Sequence, residues 1–130
     1  MFLSVDDSNR VLLIRFDGVL TDEMLLARYE EARRWLSLHG GASQLSDFRD
    51  VTSFRVTPQG IRKLAERPPL APDPFLRVVV SPGPLIFGMT RMFEILGGET
   101  RDRVHITKTI EEAHQVLGIS NPNFAPVSDF

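Results

Sequence analysis

The sequence predicts an α/β fold in which about four helices cover a four- to five-stranded, mixed but mostly parallel sheet. Two observations support this prediction. Short apolar runs alternate with segments of helical periodicity along the 130 residues, and a turn signal lies at nearly every change. Repeated strand–helix units with short connections favour parallel strands joined by right-handed crossovers, so the helices are expected to lie over the sheet.

Two strands and a helix are predicted near the N-terminus. Phe2 to Val5 and Val11 to Phe16 have the pattern of strands, joined by the polar turn Asp6 to Asn9. Four consecutive apolar residues in the second strand are typical of a strand that is buried on both faces. Thr21 is expected to cap a helix from Asp22 to Leu38. The apolar stripe of this helix comprises Leu25, Tyr29, Ala32, Trp35 and Leu36.

The next unit is a short strand, a loop and a second helix. A strand is predicted near Gln44 to Phe48, and the loop after it leads to a helix from Pro58 to Glu66. Thr57 suits the N-cap of that helix, and Pro58 suits its first position, where an N–H would have no partner anyway. The connector Pro68 to Pro74 is too rich in proline for regular structure.

The third unit contains a strongly apolar helix. A strand from Phe75 to Val80 precedes a helix from Pro84 to Leu96. Gly88 costs about 1 kcal/mol relative to Ala inside a helix, so we expect close backbone packing to require it. The face toward the sheet is predicted to comprise Leu85, Met89, Met92, Phe93 and Leu96. A second face is either covered by the neighbouring helix or forms a two-fold contact between copies. Its residues, the oligomer-interface candidates, are Phe87, Arg91 and Ile95.

A last strand and helix complete the predicted fold, over Arg103 to Ile106 and Ile110 to Leu117. Residues 1–118 are therefore expected to form one domain, followed by a C-terminal tail of residues 119–130. The tail has no periodicity, so it either docks on the domain or stays mobile. The side chains that would dock it are Phe124 and Phe130.

Composition limits the classes of function. The chain is 42% apolar and 25% charged, with a formal net charge of -2. Such a balance is ordinary for a globular protein, and it attracts neither nucleic acid nor an anionic membrane. The absence of cysteine excludes disulfides and thiolate catalysis. No apolar run approaches the roughly 20 residues that span a bilayer, and no signal-peptide pattern opens the chain, so a cytoplasmic protein without a membrane span is expected.

No catalytic or metal-binding pattern stands out. His39, His105 and His114 lack the spacing of metal ligands, and no phosphate-binding glycine loop or nucleophile motif occurs. Asp47 and Asp50 form the only close acidic pair on a strand-to-helix segment, and Asp50 is expected to accept hydrogen bonds from loop amides. We therefore expect no metal, no cofactor and no enzymatic activity.

Two stretches carry a family resemblance. Asp47 to Thr52 (DFRDVT) matches a strand pattern of Asp, an apolar residue, two variable residues, Val and Thr. Val80-Ser81-Pro82, followed by Phe87 to Phe93 (FGMTRMF), matches a third-helix pattern, F-G-x-x-R-M-[FY]. The chain thus resembles the STAS and SpoIIAA-like family, the anti-sigma-factor antagonist fold, and in particular a subgroup of uncharacterised bacterial members. The likeness extends to Gly118 and implies the α/β fold of that family.

The resemblance implies a non-enzymatic regulatory module that binds a protein partner, either a kinase or an anti-sigma-type regulator. In switchable members a hydroxyl residue after this strand is phosphorylated, and its place here is taken by Thr57. The flanking positions depart from the family, with Arg55 for Asp and Pro58 for Gly. Thr57 is thus both a helix cap and the phosphoacceptor candidate, and the helix dipole would favour a phosphate there. The expected partner-binding residues are Arg55, Thr57, Gln59 and Arg62.

A small-molecule or lipid carrier is the alternative function. The related SEC14-type fold binds apolar ligands between its sheet and helices. The apolar third helix fits that use, and the proline connector and the tail would serve as a lid. An enzyme with a dispersed site is a third class, because a fold does not determine its function.

Overall fold

The computed structural model describes residues 2–71, 74–81, 83–97 and 104–127. Over these residues the chain forms six strands and four helices, which confirms the predicted α/β class. In chain order they are β1 (Leu3–Asp6), β2 (Val11–Thr21), α1 (Asp22–His39), β3 (Ser43–Arg55), α2 (Pro58–Ala65), β4 (Arg77–Val80), α3 (Pro84–Gly97), β5 (Val104–Thr107), α4 (Ile110–Leu117) and β6 (Ala125–Pro126). Pro82, Arg103 and Phe130, which the sequence analysis used, lie outside the described residues.

The sheet is mixed and mostly parallel, with strand order β5-β4-β3-β2-β1-β6. β2, β3, β4 and β5 run parallel to one another, and each of the three crossovers between them contains one helix. β1 pairs with β2 as an antiparallel hairpin. The sixth strand goes beyond the four or five predicted, because two residues of the tail pair with the outer edge of β1.

The core has two parts, one on each face of the sheet. The larger part lies under α1, α2 and α3, and it includes Tyr29, Ile61 and Phe93 from these helices. The smaller part lies under α4, where Ala113 packs with Leu45 from the sheet. Three helices therefore cover one face and a single helix covers the other.

β3 is much longer than predicted. The prediction placed a strand near Gln44 to Phe48 and a loop after it, but β3 continues to Arg55 and pairs with an equally extended β2. Two irregularities in this ladder, between Arg15 and Asp17 and between Gly18 and Val19, disrupt the alternation of apolar and polar residues. The polar residues of this segment were therefore mistaken for a loop.

The tail docks on the sheet through β6. The carboxylate of Asp6 accepts hydrogen bonds from the Asn9 amides and from the backbone N–H of Asn123, at 2.8 to 3.1 Å. Burial alone would raise the pKa of Asp6, but these hydrogen bonds outweigh it and lower the pKa below its usual value. Phe124 is half-buried and Val127 is buried, so this part of the tail belongs to the packed structure.

The predicted inner face of α3 is only partly correct. Of the predicted side chains Met89 and Phe93 are buried, whereas the other three are exposed: Leu85, Met92 and Leu96. Ile86 and Thr90 take their place, and the Thr90 hydroxyl donates to the Ile86 carbonyl at 2.9 Å. Because α3 is apolar on all sides, its periodicity did not distinguish the side that faces the sheet.

Candidate protein-binding surface

Thr57 is the N-cap of α2, as predicted. Its backbone is extended, and its Oγ1 accepts a hydrogen bond from the N–H of Gly60 at 3.1 Å. Pro58 occupies the first helical position. This hydrogen bond provides a partner for one of the N–H groups that the first turn of a helix leaves free.

Asp22 holds Thr57 from the neighbouring helix. Its carboxylate accepts from the Thr57 N–H at 2.9 Å and from the Thr57 hydroxyl at 2.6 Å. Gly60 leaves room for this carboxylate, since a Cβ at residue 60 would overlap with it. The three residues join the start of α1 to the start of α2. Sequence reasoning missed this contact because Asp22 looked only like a favourable acid in the first turn of its own helix.

The four predicted partner-binding residues are exposed at one end of the molecule. Arg55 ends β3, while Thr57, Gln59 and Arg62 lie at the start of α2. Within the described part of the chain, neither arginine forms an ion pair. Their guanidinium groups are therefore accessible to a partner.

A groove of about 240 Å³ lies between the end of β3 and the start of α3. It forms because β4 ends at Val80, opposite Asp47, and no strand of the described structure pairs with the rest of β3 on that side. Apolar side chains and backbone dominate its lining, which comprises Phe48, Val51, Thr52, Ser53, Phe54, Gly83, Pro84, Leu85 and Ile86. Along β3 the groove extends to Phe54, so it ends next to Arg55. No pattern in the sequence indicated this groove, because the residues of the strand edge were predicted to form a loop.

The outer face of α3 is exposed and apolar. Of seven large apolar side chains that are exposed among the described residues, five lie on this helix: Leu85, Phe87, Met92, Ile95 and Leu96. Phe87 and Ile95 are 46% and 78% exposed, so no neighbouring helix covers them. Arg91 lies over the Phe87 ring at 5.1 Å and forms an ion pair with Glu94. The predicted oligomer-interface candidates thus lie together on this exposed face.

A small cavity lies between the sheet and helices α1 to α3. It measures about 60 Å³ and is lined mainly by apolar side chains, with Arg28 as one of its few charged residues. The guanidinium of Arg28 stacks on the Phe2 ring at 3.5 Å, and its Nε donates to the Arg15 carbonyl at 3.0 Å. Burial lowers the pKa of Arg28. An apolar cavity of about 150 Å³ is needed to admit benzene, so this one is too small for a lipid.

The acidic pair on β3 makes structural ion pairs. Asp47 is buried and accepts two hydrogen bonds from the Arg49 guanidinium, at 2.8 and 2.9 Å. Burial alone would raise the pKa of Asp47. The hydrogen bonds from Arg49 outweigh this effect, so the pKa of Asp47 lies below its usual value. Asp50 is on the strand rather than in a loop, and it pairs with Arg15 at 3.1 Å instead of with loop amides. The expectation for Asp50 is therefore wrong.

The histidines do not form a cluster. His39 lies in the last turn of α1, where its Nδ1 is 3.0 Å from the Trp35 carbonyl oxygen and its ring stacks on the Trp35 ring. Among the described residues there is no group of three or more acidic or histidine side chains placed to hold a metal ion. In the same part of the chain, no helix has the length and apolar character required to cross a membrane.

Comparisons with known proteins found no relative of this chain. The chain matches no protein-family model, no curated protein and no solved structure.

Proposed function

We propose that this chain is a non-enzymatic regulatory module of the STAS and SpoIIAA-like type that binds a protein partner. The observation that carries the proposal is the unpaired edge of β3 over residues 48–55, beside the groove at the start of α3. An extended segment of a partner adds to such an edge through main-chain hydrogen bonds, while its side chains enter the apolar groove.

The charges around the groove favour a partner segment with acidic residues. Arg55 lies at the end of the unpaired edge, and Arg62 lies in α2 beyond Thr57. Both are exposed cations within a chain whose net charge is -2. Complementary charge of this kind orients a partner and raises its association rate.

Thr57 provides a route for regulation. A phosphate there adds a charge of about -1.5 to -2 beside the Asp22 carboxylate, which is now 2.6 Å from the Thr57 hydroxyl. The two anions repel each other, so Asp22 must turn away and α1 loses its link to α2. Phosphorylation would therefore change both the charge and the shape of the proposed surface.

The carrier alternative has less support. The cavity under the helices measures about 60 Å³, whereas sites for drug-sized ligands measure about 300 to 1,000 Å³. A carrier would have to separate α2 or α3 from the sheet to admit its ligand. Native mass spectrometry of the purified chain tests this alternative, because a retained ligand would favour the carrier.

Site-specific photo-crosslinking tests the binding proposal. A photoreactive residue in place of Ser53, in the groove, is expected to link one protein of the source cells. The same residue in place of Ser37 provides the matched control, because Ser37 is exposed near the opposite end of α1. Arg55→Glu should reduce the yield of the Ser53 adduct. Equal adducts from both positions, or no effect of Arg55→Glu, would contradict the proposed surface.

A further inference from the structure

The helix α3 is apolar around its whole circumference. Its inner face packs in the core through Ile86, Met89 and Phe93, and its outer face exposes the five large apolar side chains named above. Its two charged residues, Arg91 and Glu94, bind each other at 2.8 Å. A helix that is apolar on all sides is normally buried. We therefore expect another surface to pack against the outer face of α3.

Gly88 lies at the centre of the outer face, between Leu85 and Met92 on one side and Phe87 and Arg91 on the other. A Cβ at this position would meet nothing within 4 Å, so the described residues do not supply the close packing expected at Gly88. A helix-interior glycine costs about 1 kcal/mol relative to Ala and permits the close approach of another backbone. A second molecule can supply that approach.

We infer that the outer face of α3 pairs with the same face of a second copy, with the two helices crossing at Gly88. The five side chains expose roughly 500 Å² per copy, if Leu, Met and Ile are given the same 150–250 Å² as an aromatic side chain. Two copies would bury about 1,000 Å² in total, which is the lower limit for a specific interface. An interface at this lower limit is expected to be weak, so the dimer should depend on protein concentration.

The charge of this face fits a second copy better than other occupants. Arg91 and Glu94 compensate each other, so two copies meet without like-charge repulsion. A helix that lies on a membrane surface carries many Lys and Arg on its polar side, whereas α3 has one arginine and the chain is net negative. In a two-fold dimer the same patch serves both subunits, as an apolar, neutral face allows.

Sedimentation velocity over a range of protein concentrations measures the self-association. The wild-type chain should show a concentration-dependent dimer, and Ile95→Glu should weaken it at least tenfold. Gly88→Ala should also weaken it, although it improves the helix. Leu38→Glu is the matched control, since Leu38 is 61% exposed on α1, and it should dimerise like the wild type. A wild-type monomer at about 300 µM would overturn the inference, as would equal effects of Ile95→Glu and Leu38→Glu.

Disulfide crosslinking gives a second, independent measurement. The chain has no cysteine, so a single introduced cysteine links two copies only when they meet at that position. Gly88→Cys lies at the proposed crossing point, where the Cα atoms of the two copies are closest whichever way the helices run, within the roughly 7 Å that a disulfide allows. Under mild oxidation it should crosslink much faster than Leu38→Cys. Equal rates would overturn the arrangement even if a dimer forms through another surface. Because neither test depends on the groove at β3, failure here leaves the proposed function intact.

Discussion

The hydroxyl of Thr57 donates a hydrogen bond of 2.6 Å to the carboxylate of Asp22, a residue 35 positions earlier in the chain. The same carboxylate accepts from the Thr57 backbone N–H at 2.9 Å. Asp22 begins α1, and Thr57 caps α2, so one anion lies at the positive ends of two helix dipoles. The relative position of α1 and α2 therefore depends on this contact.

Thr57→Ala should lower the free energy of unfolding by about 1–2 kcal/mol, because it removes both the cap of α2 and the hydroxyl bond to Asp22. Thr57→Ser should cost less. Thr109→Ala is the matched control, since Thr109 caps α4 through the Glu112 N–H at 3.1 Å. Urea titrations measure the three variants. If Thr57→Ala costs no more than Thr109→Ala, the Asp22 contact contributes nothing to stability.

Thr57→Glu should destabilise the fold, although a negative charge near a helix N-terminus is usually favourable. The reason is the Asp22 carboxylate, which the new charge repels. In an Asp22→Asn background the loss should be smaller, with a coupling of about 0.5 kcal/mol or more in a double-mutant cycle. Additive losses would show that the two side chains separate freely, and they would weaken the proposed route of regulation.

Gly60→Ala and Gly88→Ala should have opposite effects on stability. Helix propensity alone favours alanine over glycine by about 1 kcal/mol at each position. At Gly60 the new methyl group would displace the Asp22 carboxylate, and the loss of its two hydrogen bonds to Thr57, about 0.5–1.5 kcal/mol each, should outweigh the gain. At Gly88 there is open space, so the gain should remain. Thermal unfolding at low protein concentration, where a dimer would dissociate, compares the two. A stabilising Gly60→Ala would mean that Asp22 relocates at little cost.

Stability should fall as the pH drops below about 4. The folded-state pKa values of Asp6 and Asp47 are both lower than usual, so the folded state binds fewer protons than the unfolded state in this range. The two carboxylates contribute fully to the free energy of unfolding above the unfolded-state pKa. This contribution is lost as the pH falls through their folded-state pKa values. Urea titrations from pH 7 to about pH 3 measure the slope. Asp6→Asn should flatten it, and an unchanged slope would contradict this role.

The helices and their caps could largely be predicted from local sequence, because a cap such as Thr57 and a favourable first residue such as Pro58 act within a few residues. The extent of β3 could not, since its polar residues are held in a strand by pairing with β2. The orientation of α3 was also hidden, because every side of it is apolar. The contact between Asp22 and Thr57 depends on how two helices pack, and local patterns carry no information about that.

The strand order has a consequence for how the chain reaches its native state. From β2 to β5, each strand pairs with the strand before it in the sequence. Each newly synthesised strand can therefore pair with a strand that has already been made. Of the strand pairs in the described structure, only that between β1 and β6 joins the two ends of the chain, with Ser4 opposite Pro126. Pairing at such a distance has the largest entropic cost of loop closure. Folding is therefore expected to spread outward from the β1–β2 hairpin as synthesis proceeds, and the binding of Asn123 to Asp6 should be among its last steps.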